Sequence, residues 1–131
     1  MILRLFFIAS LVLTLTSCQQ SSPNDSAITH VVFCWLKNPE DPKIYQQFFD
    51  ASKSFQQIPG VTKVTAGRVL RTARPEVDSS FDLAVVITFK DQKALAEYQK
   101  HPIHQKAVQE VLLPNVKKFV VYDFVNEPAF E

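Results

Sequence analysis

Four residues carry side chains that can move protons or hold a polar guest: His30, and the Tyr98, His101 and His104 of Tyr98-Gln99-Lys100-His101-Pro102-Ile103-His104. Imidazoles and a phenol converging on an apolar pocket can do general acid–base work, contributing ~10²–10⁴ in rate when well placed. In that arrangement Tyr98 donates to a carbonyl oxygen, His104 takes a proton as general base, and His30 orients. The same pocket suits a small hydrophobic or aromatic molecule that is bound without turnover, with His101 as a further polar contact. Structural roles compete with both: a strand histidine satisfied by its neighbours, His101 as a helix cap before Pro102, and Tyr98 packed with its hydroxyl at the rim.

Other chemistries are poorly supplied. Three histidines could approach a zinc ion, but no carboxylate or cysteine is placed with them and Cys34 is distant, so no metal is expected. The only glycines are Gly60 and Gly67, which leaves no phosphate cradle, and there is no Gly-x-Ser-x-Gly elbow. No cofactor is expected. The chain has 131 residues and 14 basic against 13 acidic groups, a size for one domain and a balance without the basic face that nucleic acid requires. Eleven Phe among many aliphatic residues exclude a disordered chain.

The elements that must position these side chains follow from periodicity. Ile28–Leu36 is rich in β-branched and aromatic residues and reads as a strand, with Ile28, His30, Val32, Cys34 and Leu36 on one face and Thr29, Val31, Phe33 and Trp35 on the other. Asp41-Pro42 caps an amphipathic helix carrying Ile44, Phe48, Ala51 and Phe55 and ended by Ile58-Pro59-Gly60. Val61–Leu70 and Phe81–Phe89 read as strands joined by a long connection. Asp91 caps a helix with Ala94, Leu95 and Tyr98, which His101-Pro102 interrupts. A second helical stretch restarts at Pro102 and closes at Pro114, and Val116–Val125 is the last strand. The order βαββαβ is that of the ferredoxin-like α+β fold, with helices on one sheet face. The opposite face stays apolar through Val31, Phe33 and Trp35, which predicts a homodimer of facing sheets.

Residues 1–17 hold one charge, Arg4, then the run Leu5–Leu15 and small residues before Cys18, the pattern of a signal peptide. Eleven residues reach only ~16 Å as a helix, too short for a bilayer core of ~30 Å. Leu15-Thr16-Ser17-Cys18 resembles the lipobox of bacterial lipoproteins, which implies acylation of Cys18, palmitate among the chains, and membrane attachment in the cell envelope. Gln19 resembles the outer-membrane sorting pattern, so a Gram-negative host would place the chain on the periplasmic face of that membrane. Residues 18–27 then form a polar tether, 28–125 the folded domain and 126–131 a tail. Once Cys18 is acylated, Cys34 is the only thiol and no internal disulfide forms.

Thr29-His30-Val31-Val32-Phe33, the strand Phe81–Lys90, the spacing Tyr98-x-x-His101-Pro102-x-His104 and the closing Val120-Val121-Tyr122-Asp123-Phe124 together resemble the stress-responsive dimeric α/β-barrel family, Dabb. The resemblance runs from Ile28 to Phe124. It implies a ferredoxin-like protomer, a dimeric α/β-barrel, and a small pocket in each subunit between helices and sheet. One plant member closes an aromatic ring by aldol condensation without a cofactor. Its strand histidine, helical tyrosine and final His-Pro-x-His histidine correspond here to His30, Tyr98 and His104. That enzyme carries a further histidine on the third strand where this chain has Asp82. Two functions are therefore expected: a lipid-anchored envelope protein binding a small hydrophobic or aromatic molecule, or a cofactor-independent cyclase or lyase acting on a keto or aromatic substrate.

Overall fold

Ile28–Leu36 forms β1, and it has neighbours on both sides because its β-branched and aromatic run is long enough to serve two ladders. The computed structural model describes residues 26–127, so the expected signal segment 1–17, Cys18 and most of the tether lie outside the described residues. After β1 come α1 (Pro42–Ser54), a 3₁₀ turn (Phe55–Gln57), β2 (Val61–Arg68), β3 (Leu83–Phe89), α2 (Gln92–Lys100) and α3 (Pro102–Ala107). A π turn (Val108–Leu112), α4 (Leu113–Asn115) and β4 (Val116–Val125) complete the chain. The four strands form one antiparallel sheet in the order β2-β3-β1-β4, the ferredoxin-like arrangement.

The caps act where the sequence put them. Asp41 accepts the Lys43 N–H at 2.9 Å with Pro42 opening α1, and Asp91 accepts the Ala94 N–H at 2.7 Å to start α2. Gly60, between the 3₁₀ turn and β2, adopts φ +87°, and a Cβ there would sit 2.5 Å from the Ala94 Cβ. Its missing side chain lets the start of β2 press against α2. The helices cover one sheet face, and Ile28, Cys34, Leu36, Leu83, Ile87 and Phe89 form the sheet side of the core.

Three boundaries differ from the sequence reading. β2 stops at Arg68, and Leu70 is exposed, because the connection turns away from the sheet. β3 begins at Leu83, and Asp82 just before it turns its carboxylate inward, where it accepts the Leu36 N–H at 2.8 Å and holds Arg71 at 3.2 Å. This anchor ties the long β2–β3 connection to β1. The helical stretch also passes Pro114 and ends at Asn115. Pro114 has no N–H, and its ring would strike the carbonyl four residues back in a regular α-helix. The chain widens instead: Leu113 N–H bonds the Val108 carbonyl, and Val108–Leu112 becomes a π turn.

Pairing on β1 sets its two faces. Directly opposed residues share a face, so His30 lies beside Ile87 and Asp123, and Val32 beside Val85 and Val121, on the helix side. Val31 and Phe33 stand with Val86, Ala84, Tyr122 and Val120 on the uncovered side.

Candidate functional site

A cavity of about 70 Å³ lies between the helices and the helix-facing side of β1 and β3. One water needs ~10–15 Å³ by the same measure, so there is room for a few heavy atoms up to a small ring. Most of its wall is aliphatic or aromatic, including Val32, Phe55, Ile87 and Val111; its hydrogen-bonding groups are chiefly His30, Tyr98 and His104. Three of the four residues singled out from sequence therefore meet in one place.

His30 comes from β1, and its Nδ1 lies 2.6 Å from Asp123 Oδ1 across the β1–β4 ladder. A carboxylate only accepts, so Nδ1 donates and fixes the ring, leaving Nε2 as the nitrogen available to a guest. Asp123 was not singled out for the site from sequence. The signal was a charged residue in the apolar strand Val116–Val125, on the row of Val121 and Val125, and pairing that row with β1 sets it opposite His30.

Tyr98 projects from the last turn of α2 and is 2% exposed. Its ring lies 4.9 Å from Phe89 and 4.3 Å from His104, centre to centre. Burial pushes its phenol pKa up, so the hydroxyl remains a donor. His104, in the first turn of α3, bonds through Nδ1 to the Gln99 carbonyl at 3.2 Å. That carbonyl can only accept, so Nε2 keeps its lone pair. Burial holds the His104 pKa below its ordinary 6.5, His30 nearby adds to the lowering, and the Gln99 carbonyl opposes it. The result is a neutral imidazole beside a neutral phenol, a base and a donor in an apolar setting.

His101 has a different part. It is the N-cap of α3, its Nδ1 accepting the Ile103 N–H at 3.3 Å, and it does not line the cavity. The ligand contact expected of it gives way to capping, because the residue before Pro102 takes an extended backbone and turns its ring to the free N–H groups of the new helix. Cys34 lines the cavity, but burial pushes its thiol up to about 12, so it stays protonated and unreactive. Among the described residues no three His, Cys, Asp or Glu side chains gather closely enough to hold a metal ion. Asp82, the departure on the third strand, serves as the Leu36 and Arg71 anchor and stays out of the cavity.

A sequence model described as the stress responsive A/B barrel domain matches residues 28–126. A Dabb-family protein with a ferredoxin-like fold from Mesorhizobium loti is 31% identical, with a TM-score of 0.64, over 79% of this chain and 99% of that one. A dimeric ferredoxin-like protein of unknown function from Thermobifida fusca is 22% identical, with a TM-score of 0.65, over 77% and 92% of the two chains. Hydroxynitrile lyase from Passiflora edulis is 21% identical, with a TM-score of 0.69, over 82% and 99%. At those lower identities the last two share the fold. No curated protein matches the sequence.

The lowered His104 pKa links stability to pH. The unfolded chain takes up this proton near pH 6.5 and the folded chain only at lower pH. Between the two values the unfolded state holds more protons, so stability rises with pH there and is fully present above 6.5. Thermal melts should show Tm falling as pH drops below 6.5, with a shallower fall in His104→Gln. Equal slopes for the two proteins would contradict the half-buried neutral imidazole.

Proposed function

The chain belongs to the stress responsive A/B barrel domain family, and from that premise we propose that it is a lipid-anchored homodimer of the bacterial envelope that binds a small hydrophobic or aromatic molecule. The cavity carries this reading: an apolar space of about 70 Å³ whose Tyr98 donor and two imidazole nitrogens suit a single ring bearing a carbonyl or hydroxyl group. Apolar walls supply affinity, and the three polar groups set orientation.

A second reading makes the same pocket a cofactor-independent lyase or cyclase. The His30–Asp123 hydrogen bond favours it, since a carboxylate that fixes an imidazole is a feature of acid–base sites. The fold shared with a hydroxynitrile lyase adds support. In this chemistry Tyr98 donates to the substrate carbonyl, His104 Nε2 removes a proton, and His30 holds the substrate against both.

The homodimer rests on the uncovered sheet face. Phe33 packs edge-on against Phe81 and Tyr122 there, and Tyr122 and Phe124 are 60% and 53% exposed. A contiguous aromatic face of this kind calls for a partner, and two proteins of the same fold, from Thermobifida fusca and Bacteroides fragilis, are described as dimeric. The anchor rests on the resemblance of Leu15–Cys18 to a lipobox. Multiple acyl chains hold a protein to a bilayer, each buried CH₂ contributing ~0.8 kcal/mol.

A chain shortened to begin at Ser26 should scatter light as a dimer and Tyr122→Asp as a monomer; a wild-type monomer would remove the homodimer. Labelled palmitate should enter the full chain and not Cys18→Ala; equal labelling would remove the anchor. Incubated with extract of the source cells, the wild type should retain or transform a small ring compound, as read by mass spectrometry. Tyr98→Phe should weaken retention up to ~10-fold, the worth of one hydrogen bond. Identical profiles for wild type and a folded Tyr98→Phe, His104→Ala double variant would refute both readings of the pocket.

A further inference from the structure

A second, larger hollow of about 470 Å³ opens on the outer surface between α1 and α3. It adjoins the inner cavity. Ala51 of α1, Ala107 at the end of α3 and Val111 in the π turn line both spaces, so the two share one wall. That wall is thin for a reason of sequence: two of its three residues are alanines, with no side chain beyond Cβ. The third stands on the turn that Pro114 forces to widen.

The two spaces differ in chemistry. The inner one is apolar and holds the imidazoles and the phenol. Around the outer one stand Gln47, Gln57, Asp50, Lys106 and Glu110, with the Lys106 Nζ 3.9 Å from the Glu110 carboxylate. Asp50 already accepts the Gln46 amide at 2.9 Å. Lys106 and Glu110 thus offset one another in charge, and the exposed amides of Gln47 and Gln57 provide neutral donors and acceptors.

We propose that the groove and the cavity are two halves of one site, joined between Ala51 and Ala107, which takes a ring-bearing molecule with a neutral hydrogen-bonding extension. The ring lies inside against Tyr98 and His104, and the extension passes the alanines to meet Gln47 and Gln57. This deepens the ligand-binding reading and rests on it.

Two fluorinated probes test this on the full-length protein by ¹⁹F NMR titration: 4-fluorobenzamide, and its N-(2-hydroxyethyl) derivative carrying a neutral polar extension. The longer probe should bind the wild type ~5-fold tighter, the worth of about one hydrogen bond. Gln47→Ala with Gln57→Ala, both on the exposed face of their helical turns, should erase that gain and leave the shorter probe unchanged. Ala107→Leu, at a residue that lines both spaces, should weaken the longer probe at least tenfold and the shorter one less, so that the preference for the longer probe is lost. Equal affinities of the wild type for both probes would overturn the two-part site and leave the cavity reading standing. A gain that survives both variants would put the extension elsewhere and overturn it too. No binding of 4-fluorobenzamide to the wild type would overturn the cavity reading and this one together.

Discussion

The hydrogen bond between His30 and Asp123 depends on one constraint, the register of β1 against β4. A shift of one residue would turn every β4 side chain to the other face and send Asp123 to the uncovered side of the sheet. The register is held by apolar rows on both faces of β1. Ile28, Cys34 and Leu36 are buried under the helices, and Phe33 is locked among Phe81 and Tyr122 opposite. The polar pair is therefore placed by hydrophobic packing that has nothing to do with its chemistry. β4 is an edge strand, so Asp123 keeps part of its surface in contact with water while the imidazole it holds is buried. Burying both groups completely would raise the cost of the pair, and the edge position avoids it.

The other half of the site depends on a helix that fails to continue. His101-Pro102 ends α2 two residues after Tyr98 and restarts the chain as α3, bringing His104 back over the Tyr98 ring at 4.3 Å. An unbroken helix would set residues 98 and 104 well apart around the axis, six residues and 600° on, with no stacking between them. The capping role of His101 is what makes the break tolerable, since its ring satisfies an N–H that the restart would leave bare. Pro114 widens the turn that precedes it, and Val111 and Leu112 come to line the cavity. Two prolines, each excluded from a regular helix interior, thus shape the pocket from opposite ends.

Much of this was legible in the sequence because it rests on local rules. Strict alternation in β1 put His30 on the helix face, and Asp41 and Asp91 announced the helix starts. The break at His101-Pro102 was visible from the proline alone. What escaped were features set by tertiary pairing. Asp123 becomes a partner of His30 only when the β1–β4 register is known, and Asp82 becomes an anchor only when Leu36 N–H is found without another acceptor. The π turn escaped because propensity describes where a helix stops, and here the helix absorbed Pro114 by changing its winding. His101 stood in the same motif as Tyr98 and His104, yet spacing could not tell a ring that caps from one that faces a cavity.

Asp123 fixes the His30 ring with the proton on Nδ1, and ¹⁵N NMR of the histidine side chains reads that directly. The wild type should show a protonated Nδ1 on His30, and Asp123→Ala a marked change in that Nδ1 shift with the His104 signals little altered. A bare His30 Nδ1 in the wild type, or a His30 spectrum indifferent to the loss of Asp123, would contradict it.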